Sequence, residues 1–190
     1  MNPIEHNLVI AFKILRNPAK ALDDIKSENT FYAISYLLMI GAITAFLTPL
    51  QICLGFEDIN GLHAGGQAEY LAREVSSLYD LNIIWRPLLV ETFYLLILLI
   101  TTGYLYIILK VVGGKGSMRD TLKMIAYGDT PGLLFGWIPY FATISAVWSA
   151  VIQILIGSIV IHRIPWTRST ILFSILIGLG IIDIALSSNI

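Results

Sequence analysis

Long runs with almost no charge dominate the hydrophobic pattern of this chain. A helix needs about 20 mainly apolar residues to cross the roughly 30 Å hydrocarbon core of a bilayer. Three runs have the length of one span, at 31–54, 87–109 and 169–186. Within them the only charged residues are Glu91 in the second run and Asp183 in the third. Each run therefore predicts one membrane-spanning helix.

The fourth apolar run is too long for a single span. It covers 124–161 and contains one charged residue, Asp129. As one helix its 38 residues would measure about 57 Å at 1.5 Å per residue, so the run is expected to fold back as a hairpin. The turn is predicted at 137–140, because Pro139 lacks a backbone N–H and because Trp137 and Tyr140 suit the membrane interface.

These patterns predict an all-α integral membrane protein. A single membrane domain, 31–190, is expected to form a five-transmembrane-helix bundle that follows a cytoplasmic amphipathic segment, 1–30. The predicted spans lie at about 31–54, 84–110, 119–137, 141–161 and 169–187.

The segment before the first span has the pattern of short amphipathic helices. Its apolar stripe consists of Leu8, Ala11, Phe12 and Leu15. This spacing, with basic residues beside it, is typical of a helix that lies in the membrane interface. Asn17 and Pro18 then predict the cap and the first residue of a second helix, 18–25. The segment is either a flap packed under the bundle or an element that binds a partner.

Composition supports a membrane protein and excludes several other classes. The 190 residues are 56% hydrophobic and 13% charged, whereas a soluble domain carries roughly 25% charged residues. The mean hydropathy is +0.77. These values exclude a soluble enzyme and a disordered protein. A net charge of -1 argues against a nucleic-acid partner, and the single cysteine, Cys53, excludes an intrachain disulfide.

The distribution of lysine and arginine predicts the orientation of the bundle, because cytoplasmic segments next to spans are enriched in both. With the N-terminus inside, only Arg73 and Arg86 fall in outside segments. The remaining ten fall inside, and they are Lys13, Arg16, Lys20, Lys26, Lys110, Lys115, Arg119, Lys123, Arg163 and Arg168. This split predicts a cytoplasmic N-terminus and an outside C-terminus.

No set of residues predicts a catalytic site, a cofactor or a metal site. His6, His63 and His162 are far apart, and the topology separates His63 from the other two. The glycine-rich stretch 113–117 lacks the spacing and the strand-to-helix context of a phosphate-binding loop. It is better explained as the end of the second span, followed at 117–120 by a capping box that opens the third.

Two carboxylates are predicted at outer-leaflet depth, where a charge in hydrocarbon is costly. They are Glu91 and Asp183, and Arg86 is within reach of either. In one interpretation they are structural, because one pairs with Arg86 or both face water. In the other they belong to a proton or cation pathway. The sequence leaves these alternatives open.

A third carboxylate, Asp129, lies deeper, in a stretch that interrupts helices. Gly128 and Pro131 disfavour a continuous helix, so Asp129 or Thr130 is expected to cap a half-helix that restarts at Pro131. The Tyr127 hydroxyl is expected to find a polar partner. Such a break survives in a membrane only where it is buried or lines a wet cavity. It is either architectural or a binding site of the kind that transporters build from discontinuous helices.

Small residues follow the break. Gly132 and Gly136 form a G-x-x-x-G pair, which predicts close packing against a neighbouring span. The same pair is compatible with self-association into a homo-oligomer.

The sequence around the break resembles the central motif of the Yip domain family, the Ypt/Rab-interacting multi-span membrane proteins. In that family a glycine-containing cytoplasmic loop leads into a helix with an alanine-tyrosine pair and a proline four residues after the tyrosine. Ala126, Tyr127 and Pro131 match those positions, and 137–139 resembles the turn that follows. The resemblance covers most of the chain from Asn17 onward.

The resemblance implies a non-enzymatic membrane protein that organises membranes or acts as an adaptor through protein or lipid partners. Eukaryotic members are vesicle-trafficking proteins that contact small GTPases. This sequence is more similar to short prokaryotic-type members, because only 30 residues precede its first predicted span, and GTPase binding is therefore doubtful. A multi-pass location in the cell membrane is expected. The alternative that the residues leave open is a small transporter or channel that uses the membrane-embedded carboxylates.

Overall fold

The computed structural model describes residues 3–53, 86–138 and 141–187. Within these residues the protein consists of helices and turns and contains no strand, which confirms the all-α class. In chain order the helices are α1 (Pro3–Arg16), α2 (Pro18–Asp24), α3 (Thr30–Cys53), α4 (Arg86–Val111), α5 (Met118–Gly128), α6 (Thr130–Phe135), α7 (Phe141–Val160) and α8 (Trp166–Ser187). A 3-10 turn, Ile25–Ser27, follows α2.

The second N-terminal helix begins where side-chain chemistry predicts. Asn17 caps α2 by accepting a 3.2 Å hydrogen bond from the Lys20 N–H, and Pro18 follows as the first helical residue. Both predictions are confirmed. Proline is favoured at that position because the N–H that it lacks would have no partner within the helix.

Helix α1 buries a different face from the predicted apolar stripe. Its buried residues are Asn7, Ile10, Ala11 and Ile14, so only Ala11 of the stripe is buried. Leu8 and Phe12 remain exposed. α1 has two apolar faces, and contact of the exposed one with the membrane interface stays a prediction. Its contacts with α3, α5 and α6 select the face that carries the isoleucines.

Two helices are long and apolar enough, by length and composition, to cross a membrane. They are Leu88–Val111, within α4, and Phe141–Val160, which is α7. Shorter apolar stretches occupy Thr30–Thr44 in α3 and Trp166–Gly180 in α8. Large apolar side chains also cover the outward faces of these helices, an arrangement typical of helices that face lipid.

Helix α5 lies at the centre of the bundle and contacts α3, α4 and α7. It opens with the predicted capping box, because the Ser117 hydroxyl accepts a hydrogen bond from the Asp120 N–H and the Asp120 carboxylate accepts one from the Ser117 N–H. Even Lys123 is buried here, and its ammonium donates a 2.8 Å hydrogen bond to the carbonyl of Lys26. This bond gives the buried charge a partner and attaches the 3-10 turn to the bundle.

Helices α6 and α7 are consecutive in the chain and pack against each other. α6 ends at Phe135 and α7 begins at Phe141. Of the predicted turn, Trp137 is described and donates a 2.8 Å hydrogen bond to the carbonyl of Leu134. Pro139 and Tyr140 lie outside the described residues.

Helix α7 contains a π-helical segment, Val151–Gly157, between its two α-helical parts. No pattern in the sequence predicts this segment. Such segments are rare and concentrate at functional sites. Gly157 ends the segment against α5, where a Cβ would lie 2.4 Å from the Met124 Cγ. A side chain at position 157 would therefore push α7 away from α5.

Candidate functional site

The central helix is interrupted where the sequence predicts. α5 ends at Gly128 and α6 begins at Thr130, one residue before Pro131. Proline has no N–H to donate to the carbonyl four residues earlier, which is that of Tyr127. The Thr130 hydroxyl donates to this carbonyl instead, and it lies 2.6 Å from the Tyr36 hydroxyl of α3. Side chains of the bundle thus satisfy the polar groups that the break exposes.

Neither Asp129 nor Thr130 caps α6, which corrects the sequence prediction. Capping residues usually have extended backbone, as Ser117 does with a ψ of 171°. At Asp129 the φ is -81° and the ψ is 2°, and its side chain makes no capping hydrogen bond. Instead, Asp129 Oδ2 accepts a 2.5 Å hydrogen bond from the Tyr94 hydroxyl of α4. The carboxylate therefore joins α4 to the break.

A cavity of about 170 Å³ lies beside the break, between α4 and α7. Its polar lining is formed by Tyr94, Thr101, Asp129, Ser149 and Gln153, and the rest of the lining is alanine, leucine and isoleucine. The volume is enough for several water molecules, since each occupies about 30 Å³ in the liquid. The cavity therefore surrounds one carboxylate with hydrogen-bonding groups in an otherwise apolar part of the bundle.

Glycines bring the break into close contact with α7. A Cβ at Gly128 would lie 2.5 Å from the Gln153 Cγ, and the Gly132 N–H donates a 2.9 Å hydrogen bond to Ser149 Oγ. Gly136 is buried at the end of α6. From its position before Pro131, Gly128 is predicted only to break the helix, and this contact with α7 is not predicted. The sequence does contain an indication of close helix packing at Gly128, because Gly128 and Gly132 also have G-x-x-x-G spacing.

Tyr127 connects the central helix to the N-terminal segment. Its hydroxyl donates a 3.1 Å hydrogen bond to Glu28 Oε2, and Glu28 Oε1 lies 3.3 Å from His6 Nε2. The Tyr127 ring also packs on the Tyr36 ring, with 4.6 Å between their centroids. A hydrogen bond therefore holds the turn before α3 to α5, and ring packing holds α3 itself.

The sequence did not predict a role for three residues around the break, which are Tyr36, Tyr94 and Gln153. All three carry polar groups within apolar runs. A buried tyrosine hydroxyl normally has a hydrogen-bond partner, so a tyrosine inside a span indicates a polar neighbour. That signal identifies the residue type but not the neighbour.

Glu91 lies apart from the wall of the cavity. Its carboxylate packs against Gly41 of α3, where a Cβ would lie 3.0 Å from each oxygen. Oε1 is buried and has no hydrogen-bond partner among the described residues. The side chains of Arg86 and Asp183 lie outside the described part of the chain, so an ion pair between Arg86 and either Glu91 or Asp183 stays a prediction.

The glycine-rich stretch ends α4 and packs on the loop between α7 and α8. Gly113 has a φ of +97°, a conformation that glycine adopts without strain. His162 lies against Gly116 and is buried, with Nε2 3.0 Å from Thr121 Oγ1. Burial lowers the pKa of His162 to about 4, so the imidazole is neutral near pH 7.

In the described part of the chain, no group of histidine, cysteine and carboxylate side chains is arranged to hold a metal ion.

Comparison with protein families matches the Yip1 domain over residues 12–187. The chain belongs to the Yip1 domain family. The match confirms the resemblance inferred from the motif around Pro131. Neither the comparison with curated proteins nor that with solved structures finds a match.

The Yip1 domain includes every residue of the candidate site described above except His6, because the match begins at residue 12. Family membership and the apolar helices together indicate a membrane protein of non-enzymatic type. Because the match spans residues 12–187, the Yip1 domain of this protein contains the break, the cavity and the Tyr94–Asp129 contact.

Proposed function

We propose that this Yip1-domain protein is a multi-pass adaptor of the cell membrane. It recruits a transmembrane helix of a partner protein to the groove between α4 and α7, which is the surface around the cavity described above. The proposal includes the five-span topology, with the N-terminus in the cytoplasm and the C-terminus outside. The occupant is a helix that presents a hydrogen-bond donor to Asp129. A second copy of this chain is the alternative occupant that the experiment below distinguishes.

The polar groove carries the proposal. Asp129, Thr101 and Gln153 line a cavity between two helices that each have an apolar outward face. A polar group that faces lipid has no water to replace its hydrogen bonds, so such groups normally face protein or a wet cavity. A partner helix would supply hydrogen bonds and exclude lipid from the carboxylate.

The α7 wall of the groove suits a helix as the occupant. Ala146 and Ala150 both line the cavity and are four residues apart, with Ser149 beside them. Small residues at this spacing let two helix backbones approach closely, as in small-x-x-x-small pairs of membrane helices. The opposite wall contributes Thr101, which can hydrogen-bond across the interface.

Site-specific photo-crosslinking in native membranes tests the proposal. A photoreactive residue at Ala146 should form a discrete protein adduct, whereas one at Ile175 on the exposed face of α8 should not. Adding Ala150→Leu, which narrows the groove, should abolish the adduct while the protein stays folded. An adduct twice the mass of this chain would identify a second copy, and adducts with lipid alone at Ala146 would refute the adaptor function.

A proton or cation transporter is the second candidate, and two observations favour it. Asp129 lies in a cavity large enough for water, and Glu91 has a buried oxygen without a partner among the described residues. A transport route would also use Asp183. Purified protein in liposomes should then carry an ion flux that Asp129→Asn abolishes without loss of stability. Absence of flux above protein-free liposomes, together with the crosslink, would favour the adaptor.

A further inference from the structure

Two loops at one end of the bundle form a single surface, here called the loop platform and defined as residues 110–119 and 161–168. The Lys115 N–H donates a 2.8 Å hydrogen bond to the carbonyl of His162. The Arg168 guanidinium donates a 3.2 Å hydrogen bond to the carbonyl of Val112. Gly116 packs on the buried His162 ring, since a Cβ there would lie 2.6 Å from Nδ1. These contacts hold the two loops in one arrangement.

The loop platform carries an excess of positive charge. Its five cations are all exposed, and they are Lys110, Lys115, Arg119, Arg163 and Arg168. The two segments contain no acidic residue, and the adjacent Asp120 is engaged in the capping box. Within the described part of the chain, the ion pairs of lysine or arginine with a carboxylate lie elsewhere, at Lys13 and Lys26. The platform is therefore a surface suited to anions.

Exposed apolar side chains stand among these cations. Val111 is 83% exposed, Trp166 64% and Met118 49%. Val111 also ends the stretch of α4 that is long and apolar enough to cross a membrane. Tryptophan beside lysine and arginine at the end of such a helix is typical of the level of the lipid head groups. A soluble anion would not need the apolar side chains, whereas a lipid would contact both kinds.

We propose that the loop platform binds the phosphate-bearing head groups of anionic lipids in the leaflet that it faces. Lys115, Arg119 and Arg163 contact the head-group charge, and Trp166 and Val111 lie against the upper part of the acyl chains. Clusters of basic residues at the end of a membrane helix attract anionic lipid in this way. The site is distinct from the groove between α4 and α7 and does not depend on the adaptor function.

Native mass spectrometry of the full chain in detergent tests the lipid site. Phosphatidylglycerol should be retained in preference to phosphatidylcholine, and Lys115→Gln/Arg119→Gln/Arg163→Gln should weaken its binding by at least about tenfold. Arg168 is left intact because it holds the loop. The matched control, Lys115→Arg/Arg119→Lys/Arg163→Lys, keeps the positive charge at the same three positions and should bind as the parent does.

Three outcomes would overturn the lipid site. They are equal retention of the two lipids, an equal loss in the control variant, and displacement of the lipid by millimolar inorganic phosphate. A salt titration on the parent protein gives an independent measurement, because screening should weaken the binding of phosphatidylglycerol as ionic strength rises. Binding that is independent of salt would also contradict the proposal.

Discussion

The Tyr94 hydroxyl donates a 2.5 Å hydrogen bond to Asp129 Oδ2, and this contact joins α4 to the break between α5 and α6. Residues 94 and 129 are 35 positions apart in the chain. The bond gives the carboxylate a partner inside an apolar bundle, where an unpaired charge would be costly. It also forms one wall of the cavity that the proposed partner helix would cover.

Removal of the tyrosine hydroxyl should therefore destabilise the bundle. Tyr94→Phe is expected to lower the free energy of unfolding by roughly 1–3 kcal/mol, because it removes a hydrogen bond to a partly buried carboxylate. Asp129→Asn should have a smaller effect, since the amide oxygen still accepts from Tyr94. Thermal unfolding in detergent measures both. Tyr104→Phe, at an exposed tyrosine of the same helix, is the control, and an equal effect of the two tyrosine variants would contradict this role.

Close packing of the break on α7 makes a second prediction. Gly128→Ala should destabilise by roughly 1–3 kcal/mol, because the new Cβ would lie 2.5 Å from the Gln153 Cγ and would push the helices apart. Gly103→Ala is the matched control, since a Cβ there meets nothing within 4 Å. In a helix that change should stabilise by roughly 0.5–1 kcal/mol. Chemical denaturation in mixed micelles would compare the two, and a neutral Gly128→Ala would show that α5 and α7 are further apart.

The buried imidazole predicts a dependence of stability on pH. Burial lowers the pKa of His162 to about 4 from the ordinary value of 6.5, so the unfolded chain binds a proton more readily than the folded one. His162 should therefore cost no stability above about pH 6.5, and stability should fall as pH drops from 6.5 towards 4, by at most about 1.4 kcal/mol per pH unit. His162→Gln should flatten this slope. An unchanged slope in the variant would assign the pH dependence to other groups.

Cysteine labelling tests the proposed orientation. In a Cys53→Ser background, Gly61→Cys should react with an impermeant maleimide added to intact cells, because it is predicted to lie outside. Lys115→Cys should react only after the membrane is permeabilised. The positive-inside distribution supports this expectation. Labelling of position 115 but not of position 61 in intact cells would reverse the topology and would place the loop platform on the outer leaflet.

Local chemistry in the sequence determined much of this protein. The caps at Asn17 and Ser117, the interruption before Pro131 and the Yip1 motif could all be read from neighbouring residues. Each depends on groups within about four positions of one another, so the residue types alone specify the outcome. The apolar runs likewise specify helices, because a backbone in hydrocarbon must satisfy its own hydrogen bonds.

Only the tertiary structure decided which residues meet across the bundle. Asp129 accepts from Tyr94 rather than capping its own helix, and α1 packs Ile10 and Ile14 against the bundle while Leu8 and Phe12 stay exposed. The sequence did not predict the π-helical segment, and it left open whether the break is buried or lines a cavity. An apolar helix offers several equivalent faces, and its sequence does not state which neighbour covers each one. That choice depends on how all the helices pack together, so the partners of Asp129 emerge only when the bundle is assembled.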